Sequence, residues 1–388
     1  MKKNKILIIT ALLLGLNVNA QKIDSLENRP GQVTFFYPVG TNGLAAPNYS
    51  NTASINLING INGGLTGVEF GGIVNTNLGN VSGAQFAGIA NITTGKTNGA
   101  IFAGICNIQK DSSTSASFAG ITNIINAPAI GGYFSGISNV INGSLTGASF
   151  AGIANITNGN SIGAQFAGIS NLNTGNFIGL QLAGIHNSNK GDIIGVQIGL
   201  INKAKNITGV QFGFINIADS FEKGVPFGFI NFVKNGFHAI EISGGEAIYG
   251  NFSFKMGVDK LYTIYKVGYA SNNTENYLTY GLGFGTMLRI GKKSKISIDL
   301  SVNHLIKPSY SPKLDLLSRA DFAYRYHFNS HLAVFGGPAF NVYLSEDSGD
   351  LNNAALNVPY TLYKQNWWNN EGNTSIWIGA NIGVSFGF

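Results

Sequence analysis

The residues that could do chemistry in this chain are few and scattered. Five histidines and one cysteine, Cys106, occur in 388 residues. His327 and His331 match His-x-x-x-His, but a zinc site of that pattern needs a helix and a Glu after the first His, whereas Phe328 follows here. The Gly-x-Ser-x-Gly motif that ends at Gly387 lies in a predicted strand with no helix behind it, unlike a nucleophile elbow. The sequence therefore predicts no catalytic residues, no metal and no cofactor, and the chain is not expected to be an enzyme.

One polar cluster could bind a ligand or select ions. Arg319, Asp321, Arg325 and His327 alternate with Phe322, Tyr324, Tyr326 and Phe328, so they share one face of a predicted strand. If that face lines a barrel, the four side chains form a selectivity or ligand site. The alternative is a salt-bridged plug, because the interior of a small barrel is just wide enough for side chains.

Two adjacent tryptophans, Trp367 and Trp368, fall in a long predicted outer loop, 345–374. Exposed aromatic side chains in such a loop often mark recognition, including stacking on sugars. Packing on the barrel rim or on lipid headgroups is the alternative for this pair.

The N-terminus predicts export. Lys2, Lys3 and Lys5 precede the apolar run 6–16, and small residues lead to a cleavage site after Ala20. Residues 1–20 are thus predicted to be a signal peptide, with a lead-in strand over 21–42. Removing the three lysines lowers the formal charge from +6 to +3, and no basic cluster suited to nucleic acid remains.

The next region, 43–236, is a short repeat with almost no charge. Between Gly43 and Asn187 only four of the residues are charged. An Asn column marks the repeat at intervals of 16: Asn75, Asn91, Asn107, Asn123, Asn139, Asn155, Asn171 and Asn187. A short fixed period indicates stacking of one unit on its copies.

Two architectures suit this repeat. In a β-solenoid each coil supplies short strands and turns, Phe stacks on Phe and Ile on Ile inside, and the Asn column hydrogen-bonds along itself. Gly88 and its equivalents would there supply a backbone conformation closed to other residues. In a transmembrane meander, each repeat is one antiparallel strand of a single large barrel. Copies of a meander alternate in direction and should resemble each other best at 32 residues, which is not observed, so the solenoid is favoured.

The final region, 237–388, predicts an antiparallel transmembrane barrel. It contains eight candidate strands, of which 237–243 and 248–256 are short, so the number of strands in the closed barrel is left open. Its last strand alternates over 13 residues, with an apolar face from Ile376 to Phe388 and a second face of Gly, Asn, Ser and Trp377. Such length suits a tilted strand that crosses lipid. Short turns at 291–294 and 329–331 alternate with longer loops, as in outer-membrane barrels.

The last strand, with Phe386 and the terminal Phe388, resembles the assembly signal of Gram-negative outer-membrane barrels. The segments 195–202 and 209–216, GVQIGLIN and GVQFGFIN, resemble those of short-repeat bacterial surface proteins. The resemblance implies an outer-membrane location, with lipid and the barrel-assembly machinery as partners. We expect a structural, adhesive or recognition role, with Trp367 and Trp368 as candidate contacts to a surface ligand such as carbohydrate. A porin-like channel formed by one large barrel is the alternative function.

Overall fold

The computed structural model describes residues 26–271, 276–306, 314–346, 356, 358, 360–367 and 372–388. The predicted signal peptide 1–20 and Trp368 lie outside these residues. The chain forms two compact units, which meet between Gly175 and Asn176. Within the described ranges, no helix has the length and apolar character needed to span a bilayer.

Over its described residues, 26–175, the first unit holds one 3₁₀ helix, Gly43–Asn48, and seventeen strands. The strands are β1 Glu27–Phe36, β2 Val39–Gly40, β3 Tyr49–Asn62, β4 Gly64–Gly71, β5 Val74–Asn77, β6 Val81–Ala87, β7 Ala90–Thr93, β8 Thr97–Ala103, β9 Cys106–Gln109, β10 Ser113–Ala119, β11 Thr122–Ile125, β12 Ala129–Ser135, β13 Ser138–Ile141, β14 Leu145–Ala151, β15 Ala154–Thr157, β16 Ser161–Ala167 and β17 Ser170–Asn173.

The second unit continues with further strands. They are β18 Phe177–Ala183, β19 His186–Asn189, β20 Ile193–Ile198, β21 Ile201–Lys203, β22 Asn206–Phe212, β23 Ile215–Ala218, β24 Ser220–Phe227, β25 Ile230–Val233, β26 Phe237–Gly245, β27 Gly250–Val258, β28 Leu261–Ser271, β29 Asn276–Arg289, β30 Ser294–Ile306, β31 Asp315–His327, β32 Leu332–Ser345, β33 Tyr363–Asn366 and β34 Asn373–Gly387.

The repeats of the first unit form a parallel β-solenoid. From β6 onward, each 16-residue coil contributes a seven-residue strand and a four-residue strand. Each strand pairs in parallel with the same strand of the next coil, as in Phe86 beside Phe102 and Asn91 beside Asn107. Equal copies therefore have equal surroundings, which confirms the solenoid. The alternative of one large barrel that includes the repeats is wrong, because its strands would pair antiparallel.

The predicted direction of the side chains in the coils is wrong. Phenylalanines 70, 86, 102, 118, 134, 150 and 166 stack with ring centroids 4.8–5.2 Å apart, but they lie on the outer surface, where Phe70 is 48% exposed. The Ile column is also outside, and Ile153 is 43% exposed. The interior holds the Asn column, several glutamines and apolar side chains that include Leu65, Tyr133 and Leu145. Phe86 and Gln85 are neighbours in an alternating strand, so only one of their two columns can face the interior, and it is the Gln85 column.

Glycine has two different roles in each coil, and the special backbone conformation predicted for Gly88 occurs at a different glycine. Gly88 does not adopt a left-handed conformation; instead a Cβ there would lie 2.1 Å from the carbonyl oxygen of Gly72 in the preceding coil. The left-handed backbone occurs at Gly83, with φ of +147°, and at its equivalents. Gly88 is thus required by close approach of two backbones and Gly83 by conformation.

The second unit begins with coils of the same kind and ends in a barrel. In the coils, β18, β20, β22 and β24 pair in parallel, and so do β19, β21, β23 and β25. The barrel strands β26 to β32 and β34 pair antiparallel in chain order, and β26 pairs with β34 to close the cylinder. All eight candidate strands of the sequence belong to this closed barrel. The short β33 pairs antiparallel with the first residues of β34, 373–376.

The two faces of the barrel strands differ as the alternation predicts. Leu278, Leu300 and Phe322 lie on the outside and are about half exposed, whereas Trp377 and Arg325 are fully buried inside. The barrel is therefore a cylinder with an apolar outer belt and an interior that holds its charged side chains together with buried aromatic ones, and the apolar belt suits a hydrocarbon surrounding.

Candidate functional site

The barrel interior holds three members of the predicted polar cluster. Arg319, Asp321 and Arg325 are all buried in the lumen. Arg319 Nε donates to Asp321 Oδ1 at 2.7 Å, so the structure brings this pair together. Arg325 has other partners. His327 is half-buried and lies at the short-turn end, where its backbone N–H donates to the Lys293 carbonyl oxygen.

Arg325 belongs to a group of four ionic side chains from four strands. Its guanidinium donates to both carboxylate oxygens of Glu241, at 2.5 and 3.2 Å. Lys255 Nζ lies 2.7 Å from Glu241 and 2.6 Å from Asp299. All four side chains are nearly inaccessible to solvent. Each of these buried charges thus contacts at least one opposite charge. An unpaired buried charge would cost several kcal/mol, because the charge loses its hydration.

A second group adjoins Asp321. Lys266 Nζ lies 3.3 Å from Asp321 and donates to Ser301 Oγ at 3.0 Å. Glu246 accepts from Trp377 Nε1 at 3.0 Å and from the backbone N–H of Ala380 at 2.8 Å. Across both groups four cations, Arg319, Arg325, Lys255 and Lys266, form ion pairs with three carboxylates, Glu241, Asp299 and Asp321. A further buried carboxylate, Asp315, accepts hydrogen bonds from the hydroxyl groups of Tyr343 and Ser345.

An apolar cluster fills the lumen toward the long-loop end. Its buried members are Ala247, Ile248, Ala270, Tyr277, Leu305, Leu317, Tyr343, Leu356 and Trp377. The ionic groups and this cluster together occupy the interior of an eight-stranded cylinder, whose width is about that of its own side chains. The arrangement resists deformation and holds the strands in one register.

Of the residues in the two ionic groups, the sequence analysis identified only those on β31, namely Arg319, Asp321 and Arg325. Glu241, Lys255, Lys266 and Asp299 were missed as partners, although each sits between outward apolar neighbours in an alternating strand. That alternation was the available signal for an inward direction. The pairings between non-adjacent strands follow from closure of the cylinder, which the local pattern does not specify.

The Asn column forms a hydrogen-bonded ladder inside the coils, as predicted. In the first unit Nδ2 of each Asn donates to Oδ1 of the next, at 2.9–3.0 Å, from Asn75 through Asn171. The second amide hydrogen goes to a backbone carbonyl oxygen, as from Asn91 to Phe102 at 2.8 Å. In the second unit Asn187 continues the pattern to Asn202 at 2.9 Å. Every buried amide that these bonds join is satisfied without water.

One carboxylate is buried at the start of the ladder. Glu69 Oε1 accepts from Asn56 and Asn62, and Oε2 accepts from Asn77 and Gln85, at 2.6–2.9 Å. Burial raises the pKa of Glu69 above its ordinary value, although the four amide donors act in the opposite direction. In the sequence this site is marked only by a Glu at a repeat position that other coils fill with Gln, Ser, Ile or Tyr.

The predicted recognition residue Trp367 packs at the long-loop end of the barrel. Its indole Nε1 donates to Thr374 Oγ1 at 3.0 Å, and its backbone N–H donates to the Gly372 carbonyl oxygen. Trp367 therefore lies against the beginning of β34 and is half-buried. Its partner Trp368 is outside the described residues, so the pair stays a prediction.

The terminal residues Phe386 and Phe388 point outward, and Phe388 is 69% exposed. The backbone N–H of Phe388 donates to the His238 carbonyl oxygen at 3.2 Å, which ties the C-terminus to β26. Their role as an assembly signal stays a prediction. In the described part of the chain no three His, Cys, Asp or Glu side chains group into a set that could hold a metal ion.

Comparison with known proteins adds no relative. No protein-family model matches the chain, and no curated protein sequence matches it.

Proposed function

We propose that this chain is a non-enzymatic outer-membrane protein, in which the closed barrel is the membrane anchor and the repeat coils serve a structural, adhesive or recognition role. The observation that carries the proposal is the barrel itself. Apolar side chains cover its outer wall, while ion pairs and a packed apolar cluster occupy its lumen. A cylinder with this distribution suits lipid outside and leaves little room for solute inside.

The filled lumen favours an anchor over a channel. The channel hypothesis relied on one large barrel, and the eight-stranded barrel is small. Arg325, Lys255 and their carboxylate partners are held to each other rather than presented to a water-filled path. We therefore assign a structural role to the ionic groups of the lumen.

The proposed location and partners follow from the same features. Residues 1–20 provide an export signal, and Phe388 ends a strand of the kind that the barrel-assembly machinery inserts. Outer-membrane lipid contacts the apolar wall. Trp367 and Trp368 at the long-loop end are the candidate contacts to a surface ligand such as carbohydrate. No cofactor and no nucleic acid enter the proposal.

Conductance across planar lipid bilayers tests the proposal. The full chain, folded in detergent and added to the bilayer, should give no discrete current steps, because its lumen is filled. Folding of the same sample is checked by the shift in gel mobility between unheated and boiled protein, and insertion by co-flotation of the protein with liposomes of the same lipids. Stepwise currents from inserted protein would refute the anchor and favour the channel. Recovery of the exported protein in the soluble fraction would refute the membrane location.

A further inference from the structure

The outer face of the coils carries columns of exposed apolar side chains. In the second unit, the long strands and the corner that follows them present Ile178, Ile194, Leu200, Phe212 and Phe214, each exposed by 44–54%. Neighbouring exposed apolar side chains of this size mark a surface that contacts a partner or a membrane. Something other than bulk water is expected to cover it.

Most charges of the coils lie away from this surface. In residues 43–187, Lys96, Lys110 and Asp111 lie at the turn that closes each coil, and Glu69 lies inside. In the second unit Lys190 and Asp192 occupy the same turn, and Lys203 lies on the short strand. The long strands from β4 to β22 therefore carry no exposed charge, whereas in β24 Glu222 and Lys223 are exposed.

Within the second unit, the apolar face is continuous with the outer wall of the barrel. The ring of Phe227 in the last coil stacks on Phe284 of β29 with centroids 5.1 Å apart. A cavity of about 690 Å³ lies between the corner and the wall, and its lining is almost wholly apolar: Leu200, Phe212, Phe214, Phe229, Leu282 and Phe284 among others. Phe284 is five residues from the end of β29 at Arg289, so this contact lies on the wall rather than at its rim.

We propose that the apolar face of the coils is solvated by the acyl chains of the membrane, with the turn edge directed to the headgroups. The inference rests on the proposed function, because it extends the lipid contact of the barrel wall to the coils beside it. The backbone pairs coil to coil, and the buried Asn and Gln side chains bond to each other. The backbone and the Asn column of the coils thus find their partners within the protein, as polar groups in hydrocarbon must.

Acyl chains suit this surface better than a protein partner does. In the first unit the apolar side chains point in three directions: Ile162 from the long strand, Ile153 from the corner and Leu172 from the short strand. A second copy or another protein would have to wrap around all three sides, whereas lipid does so without any matching shape. A charged rim on one edge is also the pattern of elements that lie in the membrane interface.

Spin-label accessibility in liposomes tests the inference on the full chain. Cys106 is first replaced by serine. Single cysteines are then introduced by I194C on the apolar face, K190C on the turn edge of the same coil, and L300C on the barrel wall. For each label, collision with oxygen, which concentrates in lipid, is compared with collision with a water-soluble nickel chelate. We expect position 194 to match position 300 and to show several-fold less nickel collision than position 190.

A second pair, I162C and N158C, repeats the comparison in the first unit. Both Ile162 and Asn158 are exposed, so the labels should not disturb the fold, and the heat-dependent gel shift verifies each variant. If position 300 is lipid-exposed but 194 and 162 collide freely with nickel, the inference is wrong and the anchor stands. If position 300 itself is in water, the proposed function is wrong. If 194 and 162 collide with neither reagent, protein covers the face and the inference is overturned.

Discussion

Replacement of Lys255 by methionine is the sharpest test of the ionic lumen. The side chain is 1% exposed, and its Nζ lies 2.7 Å from Glu241 and 2.6 Å from Asp299. Methionine has nearly the same length and no charge. The change therefore removes both ion pairs while the volume of the lumen stays filled.

The expected cost is about 3–5 kcal/mol. At an effective dielectric constant of about 20, each contact at these distances supplies about 6 kcal/mol of attraction, most of which offsets the desolvation of the buried lysine. Without Lys255, Arg325 is the one cation that remains in contact with the carboxylates of Glu241 and Asp299. Removal of one partner from a buried ion pair typically costs about 3–5 kcal/mol. That free energy corresponds to a loss of about two to three and a half powers of ten in the ratio of folded to unfolded barrel.

Urea unfolding of the barrel in detergent, followed by the heat-dependent gel shift and by tryptophan fluorescence, measures this cost. Lys260 lies in the exposed turn between β27 and β28, so K260M is the matched control and should change stability by less than about 0.5 kcal/mol. Adding D299N to K255M restores the balance of charge and should recover part of the loss. If K255M is as stable as K260M, the lumen is hydrated and the assignment of a structural plug is wrong.

Three further changes test the coils. N123A removes an amide that bonds to Asn139 and orphans buried partners, so it should lower the unfolding free energy by about 1–3 kcal/mol, whereas N98A on the outer face should be nearly neutral in the same urea titration. Burial raises the pKa of Glu69, so the folded protein keeps the Glu69 carboxyl protonated to a higher pH than the unfolded chain does. Stability should therefore fall as the pH rises from the ordinary pKa of Glu through the raised pKa. E69Q should flatten this dependence of the melting temperature on pH. G88A places a Cβ against a backbone oxygen and should reduce the yield of folded protein on the heat-shift gel, whereas G250A, which meets open space, should not.

The sequence predicted the parallel stacking of the coils because equal copies require equal surroundings. It failed on the direction of their side chains. Alternation shows that Phe86 and Gln85 face opposite ways, but it does not show which of the two faces is inside. The expectation that Phe lies inside assumed water around the coils. An interior built from Asn91 and its copies is stable because each amide bonds to the next coil, a condition that depends on register between copies.

In the barrel, the sequence predicted correctly which side chains point inward, because the alternation within a single strand determines that direction. The alternation around Arg325 placed it inside and Tyr324 outside, as observed. Its partner Glu241 is 84 residues away in sequence and reaches it across the cylinder only after β26 has paired with β34. The ionic groups are therefore a property of closure and strand stagger, which no local pattern encodes.

The last coil does not end in an open edge. Asn231 donates to Thr263 Oγ1 at 2.8 Å, Thr263 in turn donates to the Gly228 carbonyl oxygen at 3.0 Å, and the Tyr265 hydroxyl donates to the carbonyl oxygen of Phe229. Hydroxyl groups of β28 thus occupy acceptors with which another chain could otherwise pair, as unprotected strand edges do when proteins aggregate. The cylinder terminates the stack as a capping repeat would, so that a repeat able in principle to elongate into a filament has a fixed length.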